Sequence, residues 1–582
     1  MSPQLPPVAP AVTAELVAAL SPRLRKRLDS GIAKLADRPV VRDGAVARIA
    51  VDDDTDLELH APDGAVRGTD AVRCGCLLAP DCLHRAAAAS LAPVAEDTDS
   101  AAPQDHSAAE EDAAQAPETA TPEQRAAVRA VQLATSAVLE AGTDGAGAVL
   151  QAELLRAAHT ARLAGLHRAA ATAVSVVTAL RAARAADPAY HLTDLAAGLY
   201  DVLSVAHRLP SASGGELTAL RGTARQPYRP DGSLRLYGLF SEPVLTASGY
   251  AGAVTWTADA EGRLHQVSDV APGGAGRAVG AADRTVRIGD TALTHRELAR
   301  AGLAVSGATV SPTGRLGAGA GVRAVRAPGV GWHEEPVARL WAEPVPDQIA
   351  RALAGGRDLL FLDVTLTGTA AEAAGDCLLA DCSGVPLRLT AAHDDPALPH
   401  RDNLRLLSAA RGTRLRVVAR LTPAPHPRAQ LLAAEHPTRA DTRLDIGLDR
   451  LQGADLPTTA TPSGSVPVPV PVPVPASASA SASDEAPIHL LRRRVHQTVS
   501  GGRPVLALPG DTRADARHLR RSGLTTAAEL LTDLHSAAAD RAHDVFGRLR
   551  PTDPDRFARA WLAAAHYTSE LDRTLCLAAW TP

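Results

Sequence analysis

The sequence predicts a multidomain α+β protein, and three observations carry that reading. The chain is 582 residues long, too long for one core. Its texture switches between helical periodicity rich in Ala and Leu and short apolar runs split by Gly, Ser and Pro. A dense cysteine–histidine array, "RCGCLLAPDCLHRAAAAS" at 73–90, sits between strand patterns and an alanine-rich helix. Five folded parts are expected: a small ββα finger, a helical domain, a β-rich domain, an OB-like β-barrel and a C-terminal helical domain.

The amino-terminal region, 1–46, reads as an amphipathic helix over 11–38 carrying "RLRKRL". The finger, 47–94, begins with two strand patterns, "AVARIAV" and "DLELHA", and its helix starts near Leu83. Residues 95–120 are acidic and rich in Ala, Ser and Pro, the composition of a disordered linker. "TPEQ" at 121–124 opens the helical domain, 121–209, with Thr121 as N-cap, Pro122 at the first helical position and Gln124 closing a capping box. Breaks are expected at "GTDGAG" and "ADP". The β-rich domain spans 210–345.

Residues 346–436 carry "DLLFLDVTLTG", "DCLLAD" and "VPLRLTA", then helical "RDNLRLLSAA", then "TRLRVVARLT" and "RAQLLAAE". Three strands, a helix and two strands is the element order of an OB barrel. Residues 437–485 end in "VPVPVPVPVPASASASAS", which reads as a polyproline and Ala-Ser spacer. The C-terminal helical domain, 486–582, includes "LRRSGLTTAAELL", two helices meeting at Gly523.

Composition narrows the functional classes. Apolar residues make up 46% and aromatics 3%, so cores are built from Ala, Leu and Val. Alanine dominance with Arg in place of Lys points to a high-GC coding sequence. A net charge of −5 supplies no global field to gather nucleic acid or an anionic membrane. The only lysines are Lys26 and Lys34, which removes lysine-dependent mechanisms from the rest of the chain. "MSPQLPPVAP" lacks the form of a secretory signal, and no run of about eighteen apolar residues reads as a membrane span. Six cysteines in so long a chain form no disulfide framework, so a reducing cytoplasm is expected.

Cys74, Cys76, Cys82 and His84 form a Cys-x-Cys-x5-Cys-x-His array. Three thiolates and an imidazole fill a tetrahedral zinc shell, and a filled shell is structural rather than catalytic. Two cysteines one residue apart reach one ion from a tight turn, while Cys82 and His84 approach it from a helix start. Leu83, Ala87 and Leu91 are expected to pack that helix on the strands.

The array, with strands before it and an alanine-rich helix after it, resembles the SWIM-type zinc finger over about residues 47–92. The four residues match that family's zinc ligands one for one. The whole chain is similar to large actinobacterial SWIM-finger proteins of undefined activity. The resemblance implies a single structural zinc and a module for DNA binding or protein interaction. It implies a protein partner, with a helicase-like or other ATPase among the candidates.

Other motifs read as ordinary structure. Through residue 94 there are eleven Lys and Arg against twelve Asp and Glu, so "RLRKRL" is the only basic cluster near the finger. "RRR" at 492–494 and the Arg520–Arg521 pair are its counterparts at the other end. The OB-like segment contains only Phe361 as a base-stacking aromatic. "GRLGAGAGVRAV" at 314–325 lacks the lysine of a phosphate loop and reads as a turn. Asp52, Asp54 and Asp56 have calcium-loop spacing but no glycine or twelfth-position glutamate, so they form an acidic turn. His393, Asp394, His400 and Asp402 read as a polar loop, and Cys377 and Cys382 as core residues. No nucleophile elbow or small-molecule site is visible. The expectation is a non-enzymatic scaffold that docks protein partners, with DNA binding through the finger and Arg clusters as the alternative and an enzyme with an unrecognised site in the β domains as a distant third.

Overall fold

A computed structural model of the chain describes residues 5–52, 54–95, 118–188, 190–223, 228–246, 250–289, 291–317, 319, 321–372, 375–457, 487–507, 511–540, 545–546, 548 and 553–581. Among them are eighteen α-helices and three antiparallel sheets, the multidomain α+β class the sequence predicts.

The single helix expected over 11–38 is three: α1 (Pro10–Ala19), α2 (Pro22–Arg25) and α3 (Leu28–Ala36). Pro22 has no N–H to continue α1, and Ser21 caps α2 by accepting from the Leu24 amide. Four strands follow where two are expected: β1 (Val40–Asp43), β2 (Val46–Asp52), β3 (Thr55–His60) and β4 (Val72–Cys74). They pair in chain order, and helix α4 (Leu83–Leu91) comes next. The extra strands have local causes. Gly44, at φ 57°, turns β1 into β2, and β3 offers Leu57 and Leu59 as partners for Cys74 and Val72.

Leu16 and Val17 of α1, Leu28 of α3, Ile49, Leu57 and Ala86 to Ala89 of α4 share one core. The amino-terminal helices and the finger, expected apart at residue 46, are therefore packed together. Ala87 is fully buried on the strands as expected, while Leu83 and Leu91 cover the core's margin.

The helical stretch consists of α5 (Pro122–Gly145), α6 (Ala148–Leu163), α7 (His167–Arg184), α8 (Leu192–Arg208) and α9 (Gly214–Arg221). Thr121 and Gln124 exchange both bonds of the capping box that "TPEQ" predicts. The break at "GTDGAG" occurs where Gly142 adopts φ 68°. Since α9 is helical, the expected β-rich segment begins not at 210 but at Arg229.

There β5 (Arg229–Leu245), β6 (Tyr250–Ala258), β7 (Leu264–Pro272), β8 (Gly302–Val310) and β9 (Arg323–Ala327) form an antiparallel sheet of order β7-β6-β5-β8-β9. Short helices α10 (Gly274–Val279) and α11 (His295–Leu298) interrupt it, and α12 (Arg339–Ala342) and α13 (Val345–Leu353) follow. The described residues of the glycine-rich "GRLGAGAGVRAV" lie between β8 and β9 and run into β9, with Leu316 bridging back to Val310.

The next segment reproduces its predicted element order. β10 (Leu359–Glu372), β11 (Gly375–Cys382) and β12 (Val385–Ala391) precede helix α14 (His400–Leu407), then β13 (Arg414–Leu421) and β14 (Arg428–Glu435). β12 pairs with β11 and also, in parallel, with β14, so these five strands close a hydrogen-bonded ring. Alternate residues Leu360, Leu362, Val364 and Leu366 enter one core, whereas Leu359 and Phe361 enter another beside Trp332 and Trp341. Burial on both faces explains the continuous apolar run "LLFL".

A further strand, β15 (Arg443–Asp445), pairs with β14, and Ile446 and Leu451 are buried. Residues 437–457 are thus part of this sheet rather than the start of a spacer. The rest of that spacer, from 458, and linker residues 96–117 lie outside the described residues.

The tail forms α15 (His489–Ala507), α16 (Thr512–Arg521), α17 (Thr525–Ala539) and α18 (Pro554–Ala579), with Gly523 between α16 and α17 at φ 78°. The chain divides into two compact units, Met1–Ala224 with Val474–Thr568, and Arg225–Pro473 with Ser569–Pro582. Most of the tail thus belongs with the amino-terminal half instead of standing alone. Its α15 crosses α5 where Gly142 and Gly502, both at positive φ, bring backbone against backbone. A Cβ on Gly142 would lie 2.2 Å from the Gly502 nitrogen, so both positions require glycine. Among the described residues no helix is long and apolar enough to cross a membrane.

Candidate metal centre

Cys74 ends strand β4, and Cys76 lies in the turn after it. Cys82 is the N-cap of α4, and His84 is its second residue. Strand pairing of Leu57 with Cys74 and the start of α4 bring both halves of the array to one place. The three sulfurs and one imidazole nitrogen all lie within 4.8 Å of one another, the only such metal-ligand cluster among the described residues.

The donor set fits a tetrahedral divalent ion. Bonds of about 2.3 Å to sulfur and about 2.0 Å to nitrogen imply an S···N edge of about 3.5 Å. The Cys74 Sγ to His84 Nδ1 separation is 3.7 Å. This is one Cys3His cluster able to hold one metal ion, with all four positions supplied by protein.

Electrostatics lead to the same conclusion. Burial, above all, pushes the Cys74 thiol up to about 12, and the neighbouring Cys82 and Cys76 sulfurs add to that. Burial also raises Cys82, against the pull of the Arg85 amide at the third position of α4. Burial opposes ionisation of Cys76 too, but the Leu78 amide, the other two thiols and the Ala79 amide outweigh it and bring its pKa down. Burial thus opposes ionisation at all three sulfurs. A divalent ion is what allows all three to lose their protons.

Sequence reasoning missed Arg85. Its buried guanidinium donates to the carbonyls of Thr69, Val72 and Pro80, tying together the chain before β4 and the end of the cysteine loop. An arginine opening an alanine helix directly after Cys-x-His was the available signal. At the loop's tip Leu77 is fully exposed and Leu78 is 63% exposed, so neither supports the core.

The other candidates are not assembled into sites. Asp394 pairs with Arg401, and the nearest cation to Asp402 is Arg450 at 3.9 Å. His393 donates to the Pro243 backbone, and its ring lies 5.5 Å from that of His400, which is buried at the start of α14 rather than in a polar loop. Asp52 accepts the Asp54 amide, as an acidic turn does. Cys377 and Cys382 are buried, and so is Phe361, which leaves it no face for a base. Of the basic residues, Arg25 folds back onto the carbonyls of Ala18 and Leu20, and Arg493 and Arg494 both pair with Asp515. Arg23, Lys26 and Arg27 are exposed.

Compared with protein-family models, curated proteins and solved structures, the chain matches none of them.

Proposed function

We propose that this chain is a cytoplasmic, non-enzymatic zinc protein whose stapled finger, of SWIM type, docks a protein partner. The observation that carries the reading is the closed Cys3His set, which leaves no coordination position for a substrate. The exposed Leu77–Leu78 tip supports protein docking, since two apolar side chains held out by the metal loop have no structural use. The order of strand, Cys-x-Cys, Cys-x-His and alanine-rich helix supports the SWIM assignment. A helicase-like ATPase is the partner class this assignment favours.

Metal content is the first test. Protein purified without added metal is expected to carry one zinc per chain, and Cys76→Ser to lose it while Cys377→Ser keeps it. Full zinc in the Cys76 variant would falsify the ligand set.

A salt titration separates protein docking from DNA binding. Arg25, Arg493 and Arg494 are already engaged, so binding weaker than about 10 μM at physiological salt is expected, as for non-specific association. Sub-micromolar, steeply salt-dependent binding that is lost when Arg23, Lys26 and Arg27 become Ala overturns the docking reading in favour of DNA.

A further inference from the structure

A cavity of about 430 Å³ lies in the second unit, within the range of small-molecule sites. Leu264, Val310 and Leu340 give it an apolar wall, and Asp231, Arg263, His265, Glu343, Arg351 and Arg357 give it charge and polarity.

The cations and carboxylates are not paired one to one. Arg263 binds Asp259 at 2.7 Å and approaches Asp231 at 3.9 Å. Asp259 also holds His265, 3.1 Å from the imidazole Nε2, and accepts the amides of Glu261 and Arg263. Arg351 pairs with Glu343. Every carboxylate at the cavity is therefore engaged, and Arg357 is left over. Among the described residues it makes no hydrogen bond or ion pair, although it is partly buried.

Desolvation, and after it the like charge of Arg351, lowers the Arg357 pKa from its ordinary value, while Asp259 offsets this only in part. The Arg357 nitrogens are open to solvent and have no acceptor in the fold, so an incoming oxyanion displaces no partner. The chain makes room for the guanidinium. Gly314 sits at φ 81°, and a Cβ there would come within 2.7 Å of an Arg357 terminal nitrogen and 2.5 Å of the Leu264 carbonyl oxygen.

We propose that this cavity binds a small organic anion, a carboxylate or phosphate monoester, with its oxygens on Arg357 and its apolar body against Leu264, Val310 and Leu340. The planar guanidinium fork matches both kinds of oxyanion, and the surrounding salt bridges hold the remaining charges out of competition. This site is separate from the zinc cluster and adds a ligand that the finger does not explain.

Calorimetric titration of the full chain tests it with four probes: phenyl phosphate, benzoate, inorganic phosphate and neutral benzamide. One of the two aromatic anions is expected to bind at least about tenfold more tightly than benzamide, as a charge-assisted pair requires. The stronger of the two identifies the headgroup. Arg357→Gln should weaken that binding at least about tenfold, Arg357→Lys less, and Arg326→Gln, on strand β9 outside this cavity, not at all. Because Arg357 makes no bond in the fold, Arg357→Gln should unfold at the same temperature or a higher one without ligand. No binding of either aromatic anion at about 5 mM overturns the proposal, since even weak specific sites lie below that. Binding unchanged in Arg357→Gln, or inorganic phosphate bound more tightly than phenyl phosphate, overturns it as well.

Discussion

Helix α4 buries Ala86, Ala87, Ala88 and Ala89 in succession, whereas strand β10 turns Leu360, Leu362, Val364 and Leu366 into the centre of the ring sheet. Both segments are almost completely withdrawn from water. They do not gain equally from it. A methyl group contributes about 0.8 kcal/mol on burial, and a Leu or Val side chain about 1.5–3 kcal/mol. The ring sheet can thus rest on apolar area and strand closure. Helix α4 itself supplies less, and the cysteine loop beside it is held by the Arg85 guanidinium and by four convergent metal ligands. Where side chains are small, polar and metal bonds take over the task of fixing the backbone.

Metal removal probes that contrast with the largest effect. Structural zinc of this type binds with about 10–16 kcal/mol, and β4 and the start of α4 carry its ligands. Chelation is expected to abolish amide-exchange protection in β3, β4 and α4 while leaving β10 to β14 protected. Of the five tryptophans, Trp256, Trp332, Trp341 and Trp580 lie in the second unit, so emission should change little on chelation. A large emission change, or full protection of α4 in chelator, breaks the contrast.

The complementary experiment is a core truncation. Leu362→Ala is expected to cost about 2–5 kcal/mol, because a closed ring cannot collapse around the void. The loss should appear in the tryptophan transition and be the same with or without chelator. A cost under about 1 kcal/mol would mean that the ring is as loosely packed as the finger.

Arg85 gives a smaller and more selective effect. It supports ligand-bearing backbone without touching the metal, so Arg85→Met is expected to weaken zinc affinity about 10–100-fold, the usual range for groups that orient ligands. Competition with a chromophoric chelator reads this directly. Unchanged affinity would show that the cysteine loop keeps its shape unaided.

What the sequence revealed followed contact range. The four ligands lie within eleven positions, the Thr121 cap within four, and the strands of the ring each carry their own apolar pattern, so all could be read locally. The helix break at Ser21–Pro22 was equally local and was passed over in favour of a longer amphipathic period. Arg85 stood out only as a charge in an alanine helix, and its role was hidden because its acceptors at 69, 72 and 80 converge only after β4 and α4 are placed. The Gly142–Gly502 crossing joins positions 360 residues apart, and no local glycine pattern announces it. The Arg357 cavity draws on residues from 231 to 361, and an unpaired charge becomes visible only when every partner has been assigned.

The smallest predicted effect, acid sensitivity, distinguishes the two regions by mechanism. His295 and His400 are buried in the second unit, and burial drives their pKa values down to about 4 and about 3. Asp269 opposes the shift at His295, while at His400 the charge of His393 adds to it and Asp394 opposes it. Both folded values lie below the unfolded value of about 6.5, so under acid the unfolded chain binds more protons. The stabilisation is complete above that value and is lost as pH falls toward 4 and then 3, at about 1.4 kcal/mol per pH unit for each histidine. Urea unfolding followed by tryptophan emission should therefore shift to lower denaturant between pH 6.5 and pH 4.5. His400→Gln should shallow the slope by less than half over this window, because burial also lowers the pKa values of His265, His393 and His436 in the same unit. The finger also fails in acid, but because its thiolates are protonated and the metal leaves. Chelator must then remove the finger's pH dependence and leave the tryptophan slope intact. If chelation flattens the tryptophan slope as well, the second unit's acid response belongs to the metal and not to its buried histidines.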